Sequence, residues 1–321
     1  MEGKNLRIVY LGTPDFAVLP LQKLVEAGYD VAAVVTMPDK PAGRGLKLQE
    51  SAVKRYAVQA GLPVLQPVKL RDPEFIAALE ALKPDLGIVI AFRMLPEMVW
   101  RLPRLGTFNL HASLLPQYRG AAPINWALMN GDRVTGVTTF LLNEEIDKGA
   151  VIGQKKVEIS EEDTAGTLHD KLMEAGAELV LQSVEQVAAG GFVPVEQREM
   201  ITGELRPAPK IFKDTCRIDW TSPCEVVRNK VRGLSPYPAA WSEMVSGAER
   251  IPVKIYAVNS SVQGISGEVP GTIRTDGKTA LDVACGDGTV SVRELQLAGK
   301  KRMTVEEFLR GFKRIGDYRM E

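Results

Sequence analysis

Residues 86–92 read LGIVIAF. The run is apolar throughout, without the alternation of a half-exposed strand, and it reads as a strand buried on both faces. The same texture recurs around it. Leu6–Leu11 (LRIVYL) and Val31–Thr36 precede it, Gly106–His111 follows, and Gly136–Leu142 and Val151–Ile159 continue the series across a polar turn. Amphipathic stretches lie between the early runs, over Phe16–Ala27 and Ser51–Ala60, closed by Gly28 and Gly61. A longer one, Thr164–Gly190, carries Leu168, Leu172, Leu179 and Val180 at helical spacing. Apolar strands alternating with helices predict an α/β fold with a mostly parallel sheet covered on both faces. Ligands of such sheets gather at the carboxyl ends of the strands.

The pattern changes near Thr202. Residues 201–211, ITGELRPAPKI, hold two prolines, a glycine and several charges, and are expected to form a linker or domain junction. A helix is expected at Pro223–Gly233 and another at Thr304–Phe312. Short β runs are expected at Ala240–Val245, Pro252–Val258, Gly271–Arg274, Ala280–Ala284 and Thr289–Leu295. Five short strands at this spacing predict a small barrel. The expected domains are therefore 1–205 and 206–321.

The composition, 45% hydrophobic and 25% charged over 321 residues, excludes disordered and fibrous classes. No run approaches the roughly 18 apolar residues of a membrane span. The opening MEGKNLRIVYLGTP has no apolar signal core, so a cytoplasmic location is expected. The cysteines Cys216, Cys224 and Cys285 lack a metal spacing and are expected as reduced thiols. Basic and acidic residues balance at 40 each, but residues 1–199 carry a net −4 and residues 200–321 a net +4. That split alone is too weak a footprint to indicate nucleic acid.

Four stretches can carry chemistry. Gly12-Thr13-Pro14-Asp15-Phe16 turns out of the first strand, but neither a G-x-G-x-x-G nor a Walker A pattern is present, so no NAD or ATP site is expected. Pro38–Glu50, PDKPAGRGLKLQE, spaces Lys40, Arg44 and Lys47 among glycines and prolines. Such a flexible loop can follow a phosphate backbone or simply be solvated. Asn109 and His111 stand at i and i+2 on a strand and project from one face. An amide donor beside an imidazole can stabilise an oxyanion or move a proton. The other histidine, His169, lies in a helical pattern beside Asp170 and is expected to be structural. Asn143–Gly149 (NEEIDKG) crowds carboxylates into a turn. One of them reaching His111 would fix its tautomer and raise its pKa, and spacing does not choose which.

At these residues the chain resembles the folate-dependent formyltransferases, most nearly the branch that formylates methionyl-tRNA. The resemblance spans essentially the whole chain. It rests on LGTPDFA at 11–17, PDKPAGRG at 38–45, NLHASLLPQYRGAAPINWAL at 109–128 and TGVTTFLLNEEIDKG at 135–149. The PAPKI, RIDW and VRGLSPYPAAW segments within 207–241 add to it. It implies a Rossmann-like formyltransferase domain followed by an OB-like β-barrel that helps hold tRNA. It implies Asn109, His111 and Asp147 as catalytic residues, and Ser113, Leu114, Leu115 and Pro116 as the segment that helps bind the folate. It also implies that the loop at about Pro38–Gln49, with Lys40, Arg44 and Lys47, enters the tRNA acceptor arm. Two departures stand out. Phe92-Arg93 replaces a customary aromatic-glycine pair, which can alter the folate pocket wall. Lys148 follows Asp147 where a threonine is customary, a cation able to lower the pKa of its neighbour.

The implied reaction is transfer of formyl from 10-formyltetrahydrofolate to the α-amine of methionyl-initiator-tRNA, in a monomer without metal or membrane. In it Asn109 and a protonated His111 would bind the oxyanion, with Asp147 keeping the imidazole cationic. Three alternatives share parts of this pattern. They are a formyltransferase acting on glycinamide ribonucleotide or an amino sugar, a 10-formyltetrahydrofolate hydrolase, and a non-catalytic RNA-binding protein on the same scaffold. The 38–50 loop and the basic second domain distinguish the tRNA reading, because a small acceptor needs neither.

Overall fold

The computed structural model describes residues 6–42, 47–261 and 268–321. The chain divides into two compact units. The first comprises Met1–Gly120, Val134–Glu158 and His169–Pro207; the second comprises Ala121–Arg133, Ile159–Leu168 and Ala208–Glu321.

The strands of the first unit are β1 (Arg7–Gly12), β2 (Asp30–Val35), β3 (Lys40–Ala42), β4 (Lys47–Gln49), β5 (Val64–Leu65), β6 (Leu86–Ile90), β7 (Thr107–His111), β8 (Val134–Leu141) and β9 (Val151–Glu158). Seven of them form one sheet in the order β5-β2-β1-β6-β7-β8-β9. Pairing is parallel from β5 to β7 and antiparallel for β8 and β9. The chain leaves β1 for β2 and β5, then crosses back to place β6 on the other side of β1. That reversal is the topological switch beside which α/β sheets bind ligands. All five residues of β6 are buried, as its unbroken apolar sequence requires.

The helices are α1 (Val18–Glu26), α2 (Ala52–Gln59), α3 (Pro73–Ala81), α4 (Glu97–Trp100), α5 (Pro123–Met129), α6 (Ala165–Ala189), α7 (Cys224–Leu234) and α8 (Val305–Gly311). Ser51 caps α2 by accepting from the Lys54 amide at 3.0 Å, and Asp72 with Pro73 starts α3. Register assigns the two faces of the sheet. Tyr10, Ile88 and Phe108 align on one face, and Leu11, Val89 and Asn109 on the other. Leu110, on the first of these faces, lies against Gly176 of α6. On the opposite face Val9, Leu11, Val35 and Val89 form a core with Phe75 and Leu79 of α3 and Val99 of α4.

The second unit is an antiparallel barrel. Its strands are β10 (Ala240–Ser246), β11 (Glu249–Ser261), β12 (Ile273–Thr275), β13 (Leu281–Ala284), β14 (Thr289–Leu297), β15 (Met303–Thr304) and β16 (Arg319–Met320). The order is β12-β13-β14-β11-β10-β16, with β15 beside β14. A bridge between Thr272 and Arg319 joins the two ends of this order. At that seam the Met320 amide donates to the Gly271 carbonyl at 2.8 Å. Gly271 has φ +89°, and a Cβ there would lie 2.1 Å from the Met320 carbonyl oxygen, so both its backbone conformation and its contact call for glycine. Thr304 and Glu307 form a capping box that starts α8.

The expected strands and barrel are present with ends shifted by a residue or a few. Helices α3, α4 and α5 and the short strands β5, β15 and β16 were not anticipated. The 38–50 loop is more ordered than expected at its two ends, where Lys40–Ala42 pairs antiparallel with Lys47–Gln49.

Candidate active site

Three elements converge at the carboxyl end of β7. The first is β7 itself. Leu110 faces α6, so Thr107, Asn109 and His111 occupy the other face. Asn109 is half-buried, and among the described residues its side-chain amide has no hydrogen-bond partner. His111 is buried at 6% exposure.

The second element is the turn that follows, Ser113–Gly120. The Ser113 hydroxyl donates to the Gln117 carbonyl at 2.6 Å. Thr138 of β8 pairs with His111 in register, and its Oγ1 secures the turn. It donates to the Ser113 carbonyl at 2.7 Å and accepts from the Leu115 amide at 3.0 Å and from Gln154 Nε2 at 2.9 Å. Leu115 packs with Phe140 and Val151. Ser113, Leu115 and Pro116 are buried and Leu114 is half-buried. The turn then reverses on itself. His111 Nε2 lies 2.8 Å from the Tyr118 carbonyl oxygen. A carbonyl only accepts, so Nε2 carries the hydrogen and, in the neutral ring, Nδ1 is the unprotonated nitrogen.

The third element is the 143–149 turn between β8 and β9. Its carboxylates separate by environment. Glu144 pairs outward with Arg101 at 3.0 Å, and Glu145 pairs with Lys148. Asp147 turns inward with φ +55°, and its Oδ2 accepts from the Gly120 amide at 3.0 Å. Gly149 permits that path: a Cβ there would lie 1.6 Å from the Leu141 carbonyl oxygen. His111 and Asp147 are thus tied to one three-residue segment, Tyr118–Gly120.

The electrostatics bear on one expectation. Burial pushes the His111 pKa below its ordinary value, and the opposing pulls of Asp147 and of the Tyr118 carbonyl are smaller. Burial thus works against the cationic imidazole expected from the sequence. Lys148 has a different neighbour in reach. Its ammonium pairs with Glu145, whose pKa it lowers. Arg93 reaches away along the 67–68 backbone, donating to the carbonyls of Val68 at 2.8 Å and Pro67, and lies over the Phe92 ring at 5.7 Å.

The remaining expected residues lie elsewhere. Lys40 is exposed on β3, Lys47 belongs to β4, and Arg44 lies outside the described residues. His169 meets Phe16 edge-on at 5.2 Å. The three cysteines are buried and unpaired. Among the described residues no group of three or more His, Cys, Asp or Glu side chains is placed to hold a metal ion, and no helix is long and apolar enough to cross a membrane.

Part of the site was not anticipated. The segment expected as a linker braces the turn. The Tyr118 amide donates to the Arg206 carbonyl at 2.7 Å. Gln117 Nε2 donates to the Glu204 carbonyl at 2.9 Å, and its Oε1 accepts from the Arg206 amide at 2.9 Å. Ahead of them, the buried Gln197 bonds to Arg119 and to the 147–149 turn. These contacts run largely through backbone carbonyls, which leave no side-chain signature in the sequence.

Comparison with known proteins identifies the family. The formyl transferase family model matches residues 6–184, and the formyl transferase C-terminal domain model matches 210–313. The methionyl-tRNA formyltransferase of Bacteroides thetaiotaomicron is 58% identical over 322 residues, covering 100% of both chains. That of Parabacteroides distasonis is 57% identical, covering 99% of each. Among solved structures, the sugar 3N-formyl transferase WlaRD superimposes with a TM-score of 0.66 at 17% identity, over 92% of this chain and 99% of that one. HypX from Aquifex aeolicus in complex with tetrahydrofolic acid gives 0.63 at 22% identity, over 95% of this chain and 47% of that one. At those identities the likeness is one of fold. The two family models and the full-length match to close relatives together place the chain in the formyl transferase family, among the methionyl-tRNA formyltransferases.

Proposed function

We propose that the protein transfers the formyl group of 10-formyltetrahydrofolate to the α-amine of methionyl-initiator-tRNA. The identity of 58% over the full length of a methionyl-tRNA formyltransferase carries the reading. Acceptors such as glycinamide ribonucleotide, an amino sugar or water are not favoured by it.

The geometry supports the following roles. Asn109, whose amide has no hydrogen-bond partner among the described residues, donates to the oxyanion formed when the amine adds to the formyl carbon. Neutral His111 takes the amine's proton on Nδ1 while Nε2–H stays on the Tyr118 carbonyl. Asp147 stabilises the imidazolium so formed. His111 then returns the proton to the departing folate nitrogen as its bond to the formyl carbon breaks. The Ser113–Pro116 turn, held by Thr138, forms the wall against which the folate sits. Lys40, Arg44 and Lys47 engage the acceptor arm through its phosphates, and the barrel adds tRNA contacts. The enzyme acts as a cytoplasmic monomer, and no metal is called for.

The test is a formyl-transfer assay offering charged initiator tRNA, glycinamide ribonucleotide and water in parallel. Formylmethionyl-tRNA as the main product supports the reading, while formate or a formylated nucleotide sinks it. Arg44→Ala should raise KM for tRNA and flatten its salt dependence with folate affinity kept.

A further inference from the structure

Gln197 is only 2% exposed, and a buried amide is costly unless each of its four hydrogen-bonding positions is filled. All four are. Nε2 donates to the Asp147 carbonyl at 2.9 Å and to the Gly149 carbonyl at 2.9 Å. Oε1 accepts from Arg119 Nε at 3.0 Å and from its terminal nitrogen at 2.7 Å. The polarity of these partners fixes the amide orientation, since carbonyls only accept and a guanidinium only donates.

The partners matter more than the count. Arg119 stands between Tyr118, whose carbonyl holds His111 at 2.8 Å, and Gly120, whose amide holds Asp147 Oδ2 at 3.0 Å. The other arm of Gln197 grips the backbone of Asp147 itself, at a residue with φ +55°. A non-glycine residue in that region persists only where its surroundings over-determine it. One side chain therefore joins the loop that orients the imidazole to the turn that aims the carboxylate.

We propose that Gln197 is a positioning residue for formyl transfer: it sets the placement of Asp147 relative to His111 by clamping the 147–149 turn to Arg119. This rests on the catalytic reading of Asp147 given above and extends it to a side chain that touches no reacting atom. A misplacement of about 1 Å transmitted to a catalytic group can cost on the order of 100-fold in rate. Gln197→Leu should thus lower kcat by about 10- to 100-fold, with KM for tRNA changed less than about threefold.

The test is a double-mutant cycle in the full chain, using Gln197→Leu, Asp147→Asn and their combination. Formyl transfer to charged initiator tRNA is the assay, and circular dichroism confirms that each variant is folded. Should the leucine variant not fold, Gln197→Glu takes its place, because it keeps the Arg119 arm and loses only the two donors. A residue acting through Asp147 costs little once Asp147 is already disabled. The expected result is the 10- to 100-fold loss for Gln197→Leu alone and less than about threefold further loss in the Asp147→Asn background. Wild-type kcat in Gln197→Leu, or losses that multiply in full, would overturn the proposal. A harmless Asp147→Asn would instead overturn the catalytic assignment on which it stands.

Discussion

Thr138 offers the sharpest test of how the site is held. Its hydroxyl makes three hydrogen bonds in a fully buried position: to the Ser113 carbonyl at 2.7 Å, from the Leu115 amide at 3.0 Å and from Gln154 at 2.9 Å. Thr138→Val keeps the shape of the side chain and removes the hydroxyl. Gln154 retains its bond to the Leu115 carbonyl at 2.7 Å, but the Leu115 N–H and the Ser113 carbonyl lose this partner in a dry environment. Each such loss costs about 1–3 kcal/mol, or about 2–6 kcal/mol together. At this chain size 1 kcal/mol moves Tm by roughly 2–4 °C, so a fall of about 5–20 °C is expected for the transition of the first unit. Thr138→Ser is the control. It keeps all three bonds and gives up one buried methyl, at a cost of about 1 kcal/mol. Scanning calorimetry compares the three proteins. If the valine variant equalled or exceeded the serine variant in Tm, hydrogen bonding by Thr138 would not be what holds the turn.

Three further outcomes are expected. Asn109→Ala should lower kcat by about 100- to 1,000-fold with tRNA binding kept, and near-normal turnover in a single-turnover assay would remove Asn109 from the oxyanion site. Because burial holds the His111 pKa below its ordinary value, the unfolded chain binds more protons than the folded one between the folded-state pKa and about 6.5. Stability should therefore fall as pH drops through that window, and urea midpoints at pH 7.5 and 5.5 should separate more in the wild type than in His111→Asn; equal separations would contradict a depressed pKa. Gly271→Ala should destabilise the barrel by about 2–4 kcal/mol, measured as a lowered calorimetric transition of the second unit, and an unchanged transition would show that the β12–β16 seam tolerates a side chain.

The sheet was legible because its strands advertise themselves. LGIVIAF has no polar position, and β6 has no exposed one. Strand β7 was legible for a different reason: Asn109 and His111 obey the two-residue period of a strand, so their shared face follows from spacing alone. The choice among Glu144, Glu145 and Asp147 was not legible from spacing. It depends on outward partners, Arg101 and Lys148, and on the Gly120 amide, 27 residues away in sequence. Strand β16 escaped notice because two residues carry no periodicity, and its pairing with Met244 and Val245 is supplied by distant chain. The 201–211 stretch holds the expected junction, at Pro207–Ala208, but its second role as a brace was not legible, because it works largely through backbone groups. A strand-end position likewise does not reveal how deeply the His111 ring is buried.

The second unit is not continuous in the chain. Helix α5, within Ala121–Arg133, belongs to it, and there Asn125 Nδ2 donates to the Gly233 carbonyl of α7 at 2.7 Å. A gene segment encoding only residues 208–321 would carry the barrel without the helix on which α7 rests. The boundary that looks natural on a linear map would thus strip Asn229 and Gly233 of α7 of the residues packed on them. Recombination at that boundary, in evolution or in the laboratory, should yield poorly folding products. The two halves are consequently bound to be inherited, expressed and engineered as one piece.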